Sequence, residues 1–146
     1  MTQEIFYARG LRFECTRCSK CCRHTPGYVF LSEVDIDRLV SALSLPRQTF
    51  LRRYCHRVRY GPVRRISLRE KPNVDCILWD DGGCSAYDAR PLQCRSFPFW
   101  ASCLATPEEW RDHGQQCPGI GTGRLHTLRE IEGWLALRTE EPLIEA

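Results

Sequence analysis

Hydrophobic and polar residues recur along the chain with spacings that predict several short helices. Ser32 precedes an apolar stripe at helical spacing, and Asp35 stands where a capping box has its acidic residue, so a helix is predicted over 33–43. The stripe consists of Val34, Leu39, Val40 and Leu43. Pro46 suits the first position of a second helix. Apolar residues on one side of that helix predict that it continues through Val58.

Three further helices are predicted toward the C-terminus. A short one covers 89–95. Thr106 and the proline after it supply a cap and a first helical position, and this helix is expected to stop by Gly114. Thr127 and Glu130 form a capping box for the last helix. Its inward face is predicted to consist of Leu128, Ile131, Trp134 and Leu135.

Alternating apolar residues and turn residues predict a few strands, which cover fewer residues than the predicted helices do. Residues 28–31 and 59–70 have the pattern of strands, although the alternation in 59–70 is weak. A β-hairpin is predicted over 76–87, because the Asp-Gly-Gly tip supplies residues that adopt positive φ. Linkers, repeats and low-complexity stretches are absent from the sequence. We therefore expect a single α+β domain over 1–146, mainly helical, with a short hairpin.

Cysteine is the residue type that changes this picture. Ten cysteines in 146 residues is several-fold above ordinary usage, so disulfides, metal or buried thiols must account for them. The N-terminus has no apolar run, and no later stretch reaches membrane-spanning length. A cytoplasmic protein without a membrane partner is expected, in which dense cysteines usually bind metal. The disulfide alternative stays open, because an N-terminal leader would change the compartment.

The strongest local motif is Cys15-x2-Cys18-x2-Cys21-Cys22. Two-residue gaps let thiolates converge on one centre, and iron–sulfur ferredoxins combine such a run with a distant Cys-Pro, which Cys117 provides. Structural zinc sites also use C-x2-C pairs, so iron–sulfur is preferred but zinc remains open. Side chains of adjacent residues diverge. Cys21 and Cys22 therefore suit two neighbouring centres, or a bridging thiolate in a binuclear cluster.

Four more cysteines lie where they could complete such centres. Cys76 and Cys84 fall at the two ends of the predicted hairpin, Cys94 in the short helix, and Cys117 in a glycine-rich loop. The metal ligands are therefore predicted to be Cys15, Cys18, Cys21, Cys22, Cys76, Cys84, Cys94 and Cys117.

The other two cysteines fit the core better than a metal site. Cys55 falls inside the predicted second helix beside its apolar stripe, and Cys103 follows an aromatic cluster. His24 is an alternative ligand, because histidine replaces cysteine in some zinc and Rieske-type sites.

The formal net charge of +3 does not indicate nucleic acid, because eight metal-bound thiolates would turn it negative. An arginine-rich stretch has few interleaved aromatic residues, so it is interpreted as a solvated face, and a nucleic-acid partner is not expected. Its arginines are Arg52, Arg53, Arg57, Arg59, Arg64 and Arg65.

Taken in order, the motifs resemble the cysteine-cluster family of zinc- or iron-chelating proteins, of which the YkgJ-like proteins are typical. The resemblance covers Phe13 to Gly123 and is carried by Phe13-x-Cys15-x2-Cys18-x2-Cys21-Cys22, Cys76-Ile-Leu, Gly83-Cys84-Ser-Ala-Tyr87-x2-Arg90-Pro91-x2-Cys94-Arg95-x-Phe97-Pro98-Phe99 and Cys117-Pro-Gly-Ile-Gly-Thr-Gly123. It implies the same eight cysteine ligands and a metal binder whose chemistry is undefined. Ala86 departs from the larger aliphatic residue that the family often has.

Residues around the predicted ligands are expected to support the cluster. Arg90 and Arg95 flank Cys94 and would neutralise an anionic centre. Gly119 and Gly121 would let the backbone close over the cluster and donate N–H groups to its sulfurs.

The expected function is that of a metal-thiolate cluster protein in electron transfer or cluster handling, with metal ions and a protein as partners. A related domain in flagellin lysine N-methylases implies an alternative, a metal-dependent protein-modifying enzyme. A zinc-stabilised interaction module that presents the arginine-rich face is the other alternative. Neither a Ser-His-Asp set nor a paired-carboxylate site is present in the sequence. Catalytic residues therefore stay unassigned, and enzymatic activity stays open.

Overall fold

The computed structural model of the protein describes residues 5–16, 28–80 and 83–145. Strands pair antiparallel in three two-stranded sheets, and the predicted mixture of helices and strands is confirmed. The part of the chain that is described contains no helix with the length and apolar character needed to cross a membrane. The elements in chain order are β1 (Leu11–Phe13), α1 (Glu33–Leu43), α2 (Arg47–Tyr54), β2 (Cys55–Tyr60), β3 (Val63–Leu68), β4 (Trp79–Asp80), β5 (Gly83–Cys84), a 3-10 turn (Tyr87–Ala89), α3 (Leu92–Ser96), α4 (Pro107–Gln116), β6 (Ile120–His126) and α5 (Leu128–Glu140).

The chain divides into two compact units, each with its own apolar core. Unit 1 contains the described residues 5–16 and 96–140, and unit 2 contains 28–80, 83–95 and 141–145. The expectation of a single domain over 1–146 stays a prediction.

Unit 1 is held together by an aromatic core between β1, α4 and α5. Ile131 of α5 and Trp110 of α4 are buried, and the Trp110 ring stacks on that of Phe99 with the centroids 5.9 Å apart. Phe13 of β1 packs edge to face on Phe99 at 6.1 Å. Aromatic pairs of this kind add about 0.5–1.5 kcal/mol each beyond their buried area. The core therefore fixes β1, which leads directly to Cys15.

The helices of unit 1 begin at the predicted caps. The Thr106 hydroxyl accepts the N–H of Glu109 at 3.1 Å, and the Thr127 hydroxyl accepts that of Glu130 at 3.2 Å. These bonds satisfy N–H groups that have no partner within the helix. α4 runs two residues past Gly114, where it was expected to stop.

Unit 2 is organised by a fully buried carboxylate, that of Asp35 near the start of α1. One oxygen accepts the backbone N–H of Ser32 at 2.9 Å, and with the Ser32 hydroxyl it completes the predicted capping box. The other oxygen accepts the N–H of Leu92 at 2.9 Å and a guanidinium N–H of Arg38 at 3.1 Å. A buried charge is tolerated only when such donors surround it. Asp35 therefore joins the beginnings of α1 and α3.

The prediction that the second helix continues through Val58 is wrong, because α2 ends at Tyr54 and the chain turns directly into β2. Cys55 has extended backbone angles, φ −124° and ψ 158°. A two-residue turn with Gly61 at φ +63° folds β2 back onto β3. Pairing with β3 satisfies the backbone of β2 and buries Cys55 and Val58, so tertiary context overrides the helical spacing.

The structure corrects three smaller details of unit 2. Val34 is 43% exposed, whereas Ile36, which was not in the predicted stripe, is fully buried. Residues 28–31 form only an isolated bridge from Phe30 to β3. The predicted helix over 89–95 is divided by Pro91, because the residue before a proline is driven out of the helical region.

Cys55 and Cys103 are confirmed as core residues, with 3% and 0% of their surface exposed. Burial raises the pKa of Cys55 to about 12, although the charge of Arg69 partly opposes this rise. Burial likewise raises the pKa of Cys103. Both side chains are therefore protonated, unreactive thiols at neutral pH.

Replacing Asp35 by Ala is expected to lower the free energy of unfolding by about 3 kcal/mol, because the two backbone N–H groups lose their acceptor inside the protein. Urea denaturation followed by circular dichroism measures the loss. Asp37→Ala is the matched control on the same helix, since the Asp37 side chain is 75% exposed with one contact at 3.8 Å to Arg47. Its effect should stay within about 0.5 kcal/mol. Equal losses in the two variants would contradict the role given to Asp35.

Brief alkylation of the native protein at about pH 8 is expected to leave Cys55 and Cys103 unlabelled, because thiol reagents attack the thiolate. Mass spectrometry of the labelled peptides gives the result, with denatured protein as the positive control. The unfolded Cys55 thiol ionises near its ordinary pKa of 9.0, below the folded value. Its contribution to stability is therefore complete below that pH and is lost as the pH rises toward 12. Rapid labelling of native Cys55 would refute this assignment.

Candidate metal centre

In unit 1, the pairing of β1 with β6 brings together the chain segments next to the first and the last of the predicted ligands, Cys15 and Cys117. Just beyond the end of β1, the N–H of Glu14 donates to the carbonyl of Gly119 at 3.2 Å. Cys15 is one residue from this contact and Cys117 is two residues from it. Cys15 is exposed and Cys117 is partly buried. This backbone contact therefore lies beside two cysteines that are about 100 residues apart in sequence.

Two glycines make this close contact possible. A Cβ on Gly119 would overlap the carbonyl oxygen of Glu14, and a Cβ on Gly123 would overlap the Glu14 side chain. Gly123 also has a φ of +77°, a conformation that favours glycine. Only Gly119 lies in a turn, because Gly121 and Gly123 belong to β6, so the prediction of a glycine-rich loop is wrong for them. Local sequence gave no sign of β6, because its partner β1 lies far away in the chain.

The predicted role of Gly119 and Gly121 as N–H donors to the sulfurs stays a prediction. Gly119 has a further role in the structure, because its lack of a side chain leaves space for the Glu14 backbone. Gly121 has a φ of +88° and open space where a Cβ would be.

In unit 2, the helical turn that carries Cys94 is held on both sides. Asp35 accepts the N–H of Leu92, as described above. The side-chain amide of Gln93 donates to the carbonyl of Tyr28 at 2.7 Å and accepts the N–H of Phe30 at 3.1 Å. Sequence reasoning missed Gln93, because nothing in its local pattern distinguishes it from a surface residue.

The Gln93 contacts also hold Tyr28 and Phe30, which follow the cysteine-rich segment in the sequence, beside the turn that carries Cys94. Tyr28 lies six residues after Cys22 in the sequence. Cys18, Cys21, Cys22 and the alternative ligand His24 lie outside the described residues.

Cys76 and Cys84 are positioned by the confirmed β4–β5 hairpin, which is shorter than predicted. Cys84 lies opposite Trp79 in the pair of strands. The N–H of Trp79 donates to the carbonyl of Cys76 at 2.9 Å, and Cys76 forms a β-bridge with Glu70. Both cysteines are partly buried against the core of unit 2. An open cleft of about 510 Å³ borders Cys84, between α1 and residues 85–89.

The two arginines beside Cys94 have different surroundings. Arg90 donates from Nε to the carbonyl of Tyr87 at 2.8 Å, and its guanidinium lies 3.9 Å from the centroid of the Tyr87 ring. Arg90 therefore closes the 3-10 turn. The Nε of Arg95 is buried and has no hydrogen-bond partner among the described residues.

The surroundings of Arg95 disfavour its charged form. Burial lowers its pKa first, and the nearby charge of Arg38 lowers it further, against the opposing effects of Glu141 and Asp35. A partly buried guanidinium in these surroundings would be stabilised by a further anionic neighbour. A thiolate centre at the adjacent Cys94 fits that requirement, which supports the predicted role of Arg95.

The described ranges 5–16, 28–80 and 83–145 contain no group of three or more His, Cys, Asp or Glu side chains arranged to hold a metal ion. Of the described cysteines that are predicted as ligands, Cys15 and Cys117 lie in unit 1, and Cys76, Cys84 and Cys94 lie in unit 2. Thiolates of this kind suit zinc and iron–sulfur clusters rather than Mg²⁺ or Ca²⁺. The assignment of all eight cysteines as ligands stays a prediction.

Comparison with known proteins identifies the chain by its cysteine motif. Solved structures give no match. The family model CxxCxxCC, described as "putative zinc- or iron-chelating domain", matches residues 14–118. The match begins one residue before Cys15 and ends one residue after Cys117, so it includes every predicted ligand. This chain therefore belongs to the CxxCxxCC family of zinc- or iron-chelating domains.

Proposed function

We propose that the chain is a metal-thiolate protein that holds iron–sulfur and acts in electron transfer or in cluster handling. When bound, an iron–sulfur cluster would supply a one-electron redox centre. The observation that carries the proposal is the Glu14–Gly119 contact, beside which Cys15 and Cys117 lie. The proposed ligands are Cys15, Cys18, Cys21, Cys22, Cys76, Cys84, Cys94 and Cys117.

Iron–sulfur is preferred to zinc because of the donor set. All eight proposed ligands are cysteines, and the C-x2-C-x2-C run with a distant Cys-Pro is typical of ferredoxins. Partial burial of Cys76, Cys84 and Cys94 would limit the access of water to bound sulfur. The cation of Arg95 would offset part of the thiolate charge.

A metal-dependent protein-modifying enzyme is a second candidate, favoured by the open cleft beside Cys84. Such an enzyme needs space for a substrate next to the metal ligands. The cleft walls include the polar side chains of Arg38, Ser41 and Asp88. Replacing Ala42 in the cleft wall by Phe tests this candidate, because filling the cleft should abolish modification of a lysine-containing peptide without changing the metal content.

Elemental analysis and a visible spectrum of protein purified without oxygen test the choice of metal. We expect a brown preparation that contains iron and acid-labile sulfide, with absorbance that bleaches on reduction. A colourless protein with two zinc ions would overturn the iron–sulfur proposal and retain only the metal-thiolate part.

Cys15→Ser and Cys117→Ser are each expected to lower the metal content by about half if the two residues share one of two centres. The double variant should lose no more than either single variant, because the same centre is lost each time. Metal-to-protein ratios from mass spectrometry give the comparison. Cys103→Ala is the control in the same unit and should retain full metal content, since its side chain is fully buried in the core. Additive losses from Cys15 and Cys117 would place them in separate centres.

Gly119→Ala is expected to reduce metal content as much as Cys117→Ser, because the added Cβ separates the Gly119 backbone from Glu14. The overlap should also lower the free energy of unfolding by about 1–3 kcal/mol. Gly133→Ala is the matched control, since this glycine lies in α5 with open space around its Cα. It should keep full metal content and gain up to about 1 kcal/mol from helix propensity. Full metal content in Gly119→Ala would show that the Glu14 contact does not position the ligands.

A further inference from the structure

Unit 2 carries a group of exposed arginines, here called the arginine face, that are close together in the sequence. The group extends from the last turn of α2 through β2 and β3 to the residue after β3. Arg69 connects its two ends, since its backbone N–H donates to the carbonyl of Tyr54 at 2.7 Å and its guanidinium to that of Arg52 at 3.4 Å. The members of the face are Arg52, Arg53, Arg57, Arg59, Arg64 and Arg69.

Strand register places like charges side by side on this face. Arg59 lies directly opposite Arg64 in the β2–β3 pair, and Arg57 is two residues from Arg59, on the same side of β2. Like charges that lie directly opposite each other destabilise a strand pair. The hairpin is therefore less stable than it would be with an opposite-charge pair at these positions.

Members of the arginine face form no ion pair within the described part of the chain. The ion pairs of unit 2 involve Arg38, Arg47 and Arg65, and none of them includes a member of the arginine face. Charges on an exposed edge strand can also prevent aggregation. Protection against aggregation would account for Arg57 and Arg59 on β2, but not for Arg52 and Arg53, which lie on a helix.

The chemistry of the face favours a phosphate backbone over an acidic protein. Stable protein interfaces need a buried apolar or aromatic centre. The apolar neighbours Cys55, Val58 and Leu68 are buried in the core of unit 2 and are not available for one. Binding to nucleic-acid phosphates requires only closely spaced cations, and arginine pairs with phosphate through two parallel hydrogen bonds.

The face suits a duplex, because it contains a two-stranded ribbon and the neighbouring Tyr54 ring is not fully exposed for base stacking. Proteins that bind single strands stack bases on exposed aromatic rings. The Tyr54 ring is partly buried and stacks on Phe50 with the centroids 5.6 Å apart. A two-stranded ribbon such as β2–β3 has dimensions that the major groove of B-DNA admits.

We propose that the arginine face binds the phosphate backbone of duplex DNA without reading its sequence. This function is independent of the proposed metal site. It also revises the expectation that the arginine-rich stretch is a solvated face. That expectation rested on the scarcity of interleaved aromatic residues, which bears on base stacking, whereas β2 and β3 align Arg57, Arg59 and Arg64 on one ribbon.

Fluorescence anisotropy with the full-length protein and a labelled duplex of about 20 base pairs tests the proposal. If about five arginines contact phosphates, log Kd should rise with log salt concentration with a slope of about 4.5. The variant Arg57→Gln/Arg59→Gln/Arg64→Gln should lower this slope by about 2.7, since each lost contact removes about 0.9. The control Arg9→Gln/Arg111→Gln/Arg129→Gln changes the net charge equally through exposed arginines of unit 1, and its slope should not change.

Arg64→Glu separates the binding role from a structural one. It replaces the like-charge pair with Arg59 by an attractive pair, so the denaturant midpoint should rise while the affinity for the duplex falls at least about tenfold. The proposal is overturned if the two triple variants weaken binding equally, or if Arg64→Glu leaves the affinity unchanged. It is also overturned if poly-L-glutamate binds as tightly as the duplex with the same dependence on these arginines, which would indicate an acidic protein partner.

Discussion

The buried carboxylate of Asp35 is the interaction on which unit 2 depends most. Transfer of a carboxylate out of water is costly, so its position is stable only while Ser32, Leu92 and Arg38 all donate to it. The same set of bonds begins α1 and fixes the start of α3. Cys94 lies two residues after Leu92, so the capping chemistry of one helix determines where a proposed metal ligand is placed.

In unit 1, a close backbone contact positions proposed ligands, whereas in unit 2 a buried charge does so. Glu14 lies against Gly119 and Gly123, and both positions exclude any larger residue. The aromatic core around Phe99 supports this contact by holding β1 in place. Because Cys15 and Cys117 are next to the contact, the requirement for glycine there is also a requirement of the proposed site.

The cysteines divide into two chemical groups according to burial. Cys55 and Cys103 lie in the cores, where burial raises the pKa of each thiol and keeps it protonated. The described cysteines that are proposed as ligands are instead exposed or partly buried. Burial and the charge of Arg38 lower the pKa of Arg95 beside Cys94, so an anionic neighbour at that position would stabilise its cation.

By itself, the sequence determined the features that depend on near neighbours. The helix caps at Ser32, Thr106 and Thr127 were predictable, because cap and partner lie within three residues of each other. The cysteine spacings were equally local, and they were sufficient to identify a zinc- or iron-chelating family.

Only the tertiary structure decided the features that depend on distant partners. Residues after Tyr54 form a strand because β3 pairs with them, although their apolar spacing is that of a helix. Asp35 caps α1 as its sequence predicts, but its bond to Leu92 joins residues 57 positions apart. Gly119 lies close to Glu14 only because β1 and β6 come together. Local patterns specify which backbone groups need partners, and the packing of the whole chain decides which distant groups satisfy them.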